Sequence, residues 1–82
     1  MPPHDHQLTL LTRPGCTHCD AAREVLRDLA RELVVPWEER DVTADPRELD
    51  EYGDRVPVVL LDGREHGYWT VDVPRLRRDL AR

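Results

Sequence analysis

Two cysteines lie in the segment R-P-G-C-T-H-C, residues 13–19, and the chain of 82 residues contains no others. Cys16 and Cys19 are separated by two residues. At that spacing two sulfur atoms can close a small disulfide or supply half of a four-ligand metal site. Neither arrangement is needed to fill a hydrophobic core. The pair therefore indicates redox or metal chemistry.

The elements around this segment predict which sulfur reacts. A short apolar run, Gln7–Thr12, predicts a strand, and Pro14 and Gly15 end it. A helix is expected to begin near Cys16, with Cys19 one turn inside it. Free backbone N–H groups and the helix dipole favour negative charge at a helix start, so this placement predicts Cys16 as the thiolate. The expected inward face of this helix is Ala22, Val25, Leu26, Leu29 and Leu33.

The middle of the chain predicts a second strand and a short second helix. Residues 37–42, W-E-E-R-D-V, are read as the strand. Asp45 is placed to cap the helix, with Pro46 at its first position and Glu48 able to reach back to the cap. Gly53 is the expected stop. Leu49 and Tyr52 are expected to supply its inward contacts.

The last third of the chain predicts a hairpin followed by a third helix. The continuous apolar run Val56–Leu61 is typical of a central strand covered on both faces. The Asp-Gly pair at 62–63 is a hairpin signal, so Arg64–Trp69 should return as an antiparallel edge strand. Asp72 is expected to cap the third helix, whose apolar face is Val73, Leu76 and Leu80.

Composition limits the class of protein. The length suits one domain, residues 1–82, with residues 1–6 as a flexible tail. The net charge of −5, with 17 acidic and 12 basic residues, disfavours nucleic acid as a partner. No run approaches the roughly 18 apolar residues of a membrane span, and the N-terminus lacks the pattern of a signal peptide. We expect a cytoplasmic monomer, a setting in which a Cys pair is more often catalytic or metal-binding than structural.

A metal site is the main alternative to redox chemistry. His4 and His6 form an H-x-H pair, but no further ligand is evident near them, so a solvated tail is expected. Zinc or an iron–sulfur cluster on Cys16 and Cys19 would need those histidines or a second chain. No tightly bound metal or cofactor is therefore expected. A non-catalytic interaction domain is a further alternative, but it would not need both cysteines.

The order of elements, β-α-β-α-β-β-α, with Cys-x-x-Cys after the first strand, resembles the thioredoxin fold in its short, glutaredoxin-like form. The likeness includes Arg13 three residues before Cys16, the Val-Pro pair at Val56 and Pro57, and the hairpin with its terminal helix. The segment E-Y-G-D-R-V-P-V-V-L-L-D-G is similar to a subgroup of small bacterial glutaredoxin-like proteins. The resemblance implies an α/β fold, a mixed four-stranded sheet with helices on both faces.

The resemblance also implies a function and a site. Pro57 would be cis, presenting the Val56 backbone to a bound thiol or peptide. The activity would be dithiol–disulfide oxidoreduction, reducing protein or low-molecular-weight mixed disulfides. The electron donor would be glutathione, another thiol such as mycothiol, or a thioredoxin-reductase-type flavoenzyme.

Two stretches depart from the glutaredoxin pattern. Family members usually carry Pro and an aromatic residue between the cysteines, where this chain has Thr17 and His18. Glutathione-binding members have a Gly-Gly-x-Asp loop after the last strand, where this chain has G-Y-W-T-V-D, residues 67–72. These differences leave the electron donor open.

Several residues near the cysteines are candidates for binding the thiol or substrate. Arg13 and a protonated His18 would both favour a Cys16 thiolate, and Thr17 lies between the cysteines. His18 could equally be a solvated side chain. Tyr68 and Trp69 could line a docking surface, but an aromatic pair on an edge strand more often packs, so packing is expected.

Overall fold

The computed structural model describes residues 5–82, which form four strands and three α-helices. The strands are β1 (Leu8–Thr12), β2 (Trp37–Asp41), β3 (Val58–Leu61) and β4 (Arg64–Tyr68), and the helices are α1 (Thr17–Leu33), α2 (Pro46–Tyr52) and α3 (Val73–Leu80). A turn of 3₁₀ helix, Val42–Ala44, joins β2 to α2. The predicted order of elements is confirmed.

The strands form one mixed sheet in the order β2-β1-β3-β4. β1 pairs with β2 in parallel, and the crossover between them is α1, because parallel neighbours need a long connection. β3 runs antiparallel to both β1 and β4. Asp62 and Gly63 both have positive φ, 54° and 84°, as a two-residue hairpin turn with right-handed twist requires. β4 is an edge strand, as predicted.

Alternation along the two central strands divides the core into two layers. Leu8, Leu10 and Val59 face α1 and α3, where they pack with Leu26 and Leu76. The intervening residues Leu11, Val58 and Leu60 face the other side and pack with Val42 and Tyr52. Helices therefore cover both faces of the sheet, as predicted, and the residues at the end of β1 are held from both sides.

The helix starts follow the predicted caps. The Asp45 carboxylate accepts the Arg47 N–H at 2.9 Å, and the Asp72 carboxylate accepts the Arg75 N–H at 3.1 Å. Both helices have proline in their first two positions. The predicted contact of Glu48 with its own cap is replaced by an ion pair to Arg40 at 2.9 Å, because the Glu48 side chain reaches the neighbouring β2 strand.

Two of the side chains predicted to face inward are exposed. Val25 of α1 is 40% exposed and Leu49 of α2 is 38% exposed. The prediction for both is wrong. Val25 lies at the margin of the buried stripe, which includes Ala30 instead. α2 is only 7 residues long and contacts the core mainly through Tyr52, so the rest of it stays open to solvent.

The edge strand β2 is held to α1 by polar contacts. Its residues other than Trp37 are exposed. Arg23 donates two hydrogen bonds to the Glu39 carboxylate, at 2.6 and 2.9 Å. Thr12 of β1 donates a third to the same carboxylate at 3.0 Å. Charged groups thus provide the contact that apolar packing does not. No helix in residues 5–82 is long and apolar enough to cross a membrane.

Candidate active site

The turn before α1 positions Cys16. Pro14 and Gly15 follow β1, and Gly15 has φ +76°, a conformation that glycine adopts without strain. Proline followed by a residue with positive φ is the usual sequence of a tight turn of this kind. The turn reverses the chain so that Cys16, in an extended conformation, becomes the N-cap of α1.

The two sulfur atoms have different environments. The Cys19 N–H donates a hydrogen bond to Cys16 Sγ at 3.1 Å, so the partial positive charge of that N–H lies beside the sulfur and favours a thiolate there. Cys16 is half-buried, whereas Cys19 is fully buried. Burial, followed by the hydrogen bond with Cys16, raises the pKa of the Cys19 thiol to about 11. Cys19 therefore resists ionisation, and Cys16 is the more accessible sulfur of the pair.

The loop before β3 lies beside the start of α1. The Val56–Pro57 peptide is cis, as the resemblance implied. The Pro57 carbonyl accepts the Trp69 N–H at 2.7 Å, so this loop is tied to the end of β4. Val56 is half-buried and packs against the core layer that contains Leu11.

His18 lies at the edge of two adjoining clefts. One, of about 320 Å³, is lined by His18, Val56, Trp69 and Thr70. The other, of about 200 Å³, is lined by the same His18, Trp69 and Thr70 with apolar residues of α1. The imidazole is exposed and is therefore free to meet a substrate that enters either cleft.

Arg13 connects the turn to another part of the site. Its Nη1 donates to the Gly53 carbonyl at 3.1 Å, across 40 residues of sequence. Its charge also helps to lower the pKa of the Asp41 carboxyl, whose main causes are hydrogen bonds from Thr43. The guanidinium thus ties the loop after α2 to the turn before Cys16. Thr17 is the first residue of α1, and its side chain is exposed.

The aromatic pair at the end of β4 does not pack into the core. Tyr68 is 46% exposed and Trp69 is 58% exposed. Their rings meet edge to face, with centroids 5.0 Å apart. The prediction that they pack is wrong: β4 ends at Tyr68, and Trp69, with φ 69°, lies just beyond the strand.

Of the two histidines near the N-terminus, only His6 is described, and its contacts lie away from the cysteines. His4 is outside the described residues. His6 Nδ1 lies 2.6 Å from the Asp62 carboxylate, and its Nε2 lies 3.0 Å from the Arg82 carbonyl. Among residues 5–82, no three His, Cys, Asp or Glu side chains are arranged to hold a metal ion. A metal on Cys16 and Cys19 would need ligands from beyond this set.

A mixed sheet covered on both faces, with Cys-x-x-Cys at a helix start and a cis proline nearby, defines a protein of the thioredoxin fold. The chain belongs to the glutaredoxin-like domain family DUF836, whose model matches residues 7–81. This membership confirms the resemblance. The thioredoxin-like fold supports a redox function in general terms.

Relatives and solved structures agree with this assignment. Uncharacterized proteins of Mycobacterium tuberculosis and Mycobacterium bovis are 51% identical, over 93% of this chain and 84% of theirs. A thioredoxin of Methanocaldococcus jannaschii is 35% identical, over 70% of this chain and 71% of its own. A structure from X. campestris is 39% identical, with a TM-score of 0.69 over 90% of this chain and 95% of its own. A Nitrosomonas europaea protein, 23% identical, shares the fold with a TM-score of 0.80 over 92% of this chain and 91% of its own.

Sequence reasoning missed two features of the site. Gly53 was expected only as a helix stop, yet its carbonyl is the partner of Arg13. Thr70 was not singled out, yet it lines both clefts. No local sequence pattern predicts either role, since both depend on which loops the sheet brings together.

Proposed function

We propose that the protein is a dithiol–disulfide oxidoreductase that reduces protein or low-molecular-weight mixed disulfides. The observation that carries the proposal is the contrast within the Cys pair. Cys16 is partly accessible and accepts a backbone N–H at the start of α1. Cys19 is buried, with its pKa raised to about 11. Such a pair separates the attacking thiol from the resolving thiol.

The reaction has two exchange steps. Cys16, as the thiolate, attacks one sulfur of the substrate disulfide, forms a mixed disulfide with it, and releases the other sulfur as a thiolate. Cys19 then loses its proton to that departing thiolate or to solvent and attacks Cys16 Sγ. The Cys16–Cys19 disulfide forms, and the second substrate sulfur leaves. Two electrons pass from the dithiol to the substrate.

An external reductant completes the cycle. It is a low-molecular-weight thiol, such as glutathione or mycothiol, or a thioredoxin-reductase-type flavoenzyme. Two molecules of the thiol, which leave joined as their own disulfide, or one reduced flavoenzyme supply the two electrons that restore both Cys thiols. Arg13, Thr17, His18, Val56 and Pro57 are the residues proposed to surround the bound thiol or substrate. We further propose that the protein acts in the cytoplasm as a single domain and a monomer.

Two serine variants test the roles of the cysteines. Cys16→Ser should abolish disulfide exchange. Cys19→Ser should still form the mixed disulfide but not resolve it, so the adduct should accumulate and be visible by intact-mass spectrometry. A Cys16→Ser protein that still forms the adduct through Cys19 would reverse the assignment. Supplying the oxidised protein with each donor in turn identifies the reductant by the rate at which the dithiol returns.

A further inference from the structure

The two clefts beside the start of α1 share one wall. Trp69, His18 and Thr70 line both, and Val56 completes the larger one. The smaller cleft is closed by apolar side chains, namely Ala21, Ala22, Val25 and Val71. A volume of about 200 Å³ is ample for one aliphatic or aromatic side chain. The exposed side chain of Val25 lines this smaller cleft, so it adds to an apolar surface on the same helix that begins at the cysteines.

The backbone holds Trp69 in the position that forms the clefts. Its φ of 69° is unusual for a bulky residue, because that backbone conformation is sterically unfavourable for such a side chain. The Trp69 N–H donates to the Pro57 carbonyl at 2.7 Å, and the Thr70 N–H donates to the Tyr68 carbonyl at 2.9 Å. The edge-to-face contact with Tyr68 steadies the ring. A large apolar side chain is thus fixed in solvent beside the candidate active site.

The clefts offer no permanent positive charge. Among the residues that line them, His18 is the only one that can become a cation. The nearby Arg13 directs its guanidinium to the Gly53 carbonyl, and Arg23 is held by Glu39 and Asp20. The chain as a whole carries −5. Inside these clefts, the carboxylates of an anionic thiol would therefore find no permanently charged partner, and the net charge of the chain gives no favourable long-range field.

We infer that Trp69, together with the apolar wall of the smaller cleft, makes the site selective for protein disulfides in which an uncharged apolar side chain flanks the cysteine. The inference rests on the proposed function and names its substrate class. The apolar side chain occupies the smaller cleft against Trp69 and Val25, while the disulfide meets Cys16. Mixed disulfides of anionic thiols such as glutathione are poor substrates, because carboxylates that enter these clefts would lose water without meeting a permanent cation.

A pair of peptides measures this selectivity. Both are mixed disulfides of the same length and leaving thiol, with Leu in one and Glu in the other beside the cysteine. The wild-type protein should prefer the Leu peptide in kcat/KM by about tenfold or more, the usual effect of one well-placed apolar group. Trp69→Ala should bring that ratio near one, and Trp69→Arg should invert it. Val34→Ala, which trims a residue that is 60% exposed at the other end of α1, should keep the wild-type ratio.

The outcomes separate this inference from the proposed function. Hydroxyethyl disulfide, which is small and uncharged, serves as the reference substrate. If the protein reduces it but treats the two peptides alike, or prefers glutathione disulfide, the selectivity is overturned and the oxidoreductase activity stands. If no disulfide is reduced, the proposed function fails and the selectivity fails with it. A ratio that Trp69→Arg leaves unchanged also overturns the role given to Trp69.

Discussion

The burial of Cys19 determines how the pair can react. A free thiol ionises near pH 8.5, and removing water from the thiolate raises that value. Here burial is the largest cause of a pKa of about 11, followed by the hydrogen bond with Cys16. The raised pKa favours the protonated form of Cys19 at neutral pH. In the proposed reaction this leaves the first attack to Cys16.

The first prediction concerns the thiol of Cys19 by itself. In Cys16→Ser, the alkylation rate of Cys19 should keep rising well above pH 9, because burial still disfavours its thiolate. Iodoacetamide labelling across a pH series measures it. In the matched variant Cys19→Ser, Cys16 should be alkylated faster at neutral pH, since it is more accessible. A Cys19 that labels faster than Cys16 at neutral pH would contradict the assignment.

The second prediction concerns Gly53, at the end of α2. A Cβ added there would overlap the Leu49 carbonyl oxygen and lie 2.9 Å from Leu49 Cδ1, so the backbone must shift. Gly53→Ala should cost about 1–3 kcal/mol of unfolding free energy, the usual range for overpacking, measured by urea denaturation. The shift would also move the carbonyl that accepts Arg13, so disulfide exchange should slow.

Gly67 provides the control for that substitution. A Cβ at Gly67 would meet only the Thr70 carbonyl, at an ordinary 3.9 Å. Gly67→Ala should therefore be tolerated far better than Gly53→Ala. Equal losses of stability in the two variants would show that the overlap with Leu49 is not the cause.

At the level of elements, the attachment of β2 to α1 depends on charge. The Arg23 guanidinium holds the pKa of the Glu39 carboxyl below its usual value of 4.5, and the hydrogen bond from Thr12 helps. Glu39 therefore contributes stability that is present above about pH 4.5 and is lost as the pH falls through its lower folded pKa. The edge strand should loosen in acid.

The third prediction tests this attachment. Glu39→Gln should lower the unfolding free energy by about 1 kcal/mol at neutral pH, as expected for a partly exposed, bidentate ion pair. The difference from wild type should shrink as the pH is lowered past 4.5 towards the folded pKa, as measured by urea titrations at each pH. Glu24→Gln, on the exposed face of α1, should change little. A deficit for Glu39→Gln that grows in acid would contradict the ion-pair explanation.

Most elements could be predicted from local signals. The caps at Asp45 and Asp72, the Asp-Gly turn and the Pro-Gly turn each have a short-range physical cause, and all appear where expected. Exposure was harder to predict. Val25 and Leu49 are apolar and have the spacing of buried helix positions, yet both are exposed. How much of a helix surface is buried depends on how far the neighbouring elements extend over it, and sequence periodicity does not reveal that extent.

At the level of the whole molecule, the site is made by segments distant in sequence. Family resemblance supplied the cis peptide at Pro57, which composition and periodicity do not reveal. The contact of Arg13 with Gly53 spans 40 residues. The Trp69 N–H, just after β4, donates a hydrogen bond to the Pro57 carbonyl, just before β3. Such contacts follow from the order of strands in the sheet, not from the sequence pattern around each residue. The cysteines could therefore be identified from sequence, while the clefts beside them could not.

A second long-range contact joins the two ends of the described chain. His6 lies between the Asp62 carboxylate in the hairpin turn and the Arg82 carbonyl. Both partners are hydrogen-bond acceptors, so the contact favours the protonated imidazole, in which both ring nitrogens donate. The hydrogen bond with Asp62 is the largest cause that raises the pKa of His6 above 6.5. The same contact lowers the pKa of Asp62 below 3.8.

These shifts define a pH window for the fourth prediction. The His6 contribution is complete below about pH 6.5 and is lost as the pH rises through the folded pKa above it, while the Asp62 contribution is lost in acid below 3.8. His6→Gln should therefore lower Tm most at mildly acidic pH, and the deficit should close as the pH is raised through the folded pKa of His6. Calorimetric melts across the series measure it, with His18→Gln, which alters an exposed imidazole, as the control. A deficit that is constant or grows with rising pH would show that the charge of His6 does not stabilise the fold.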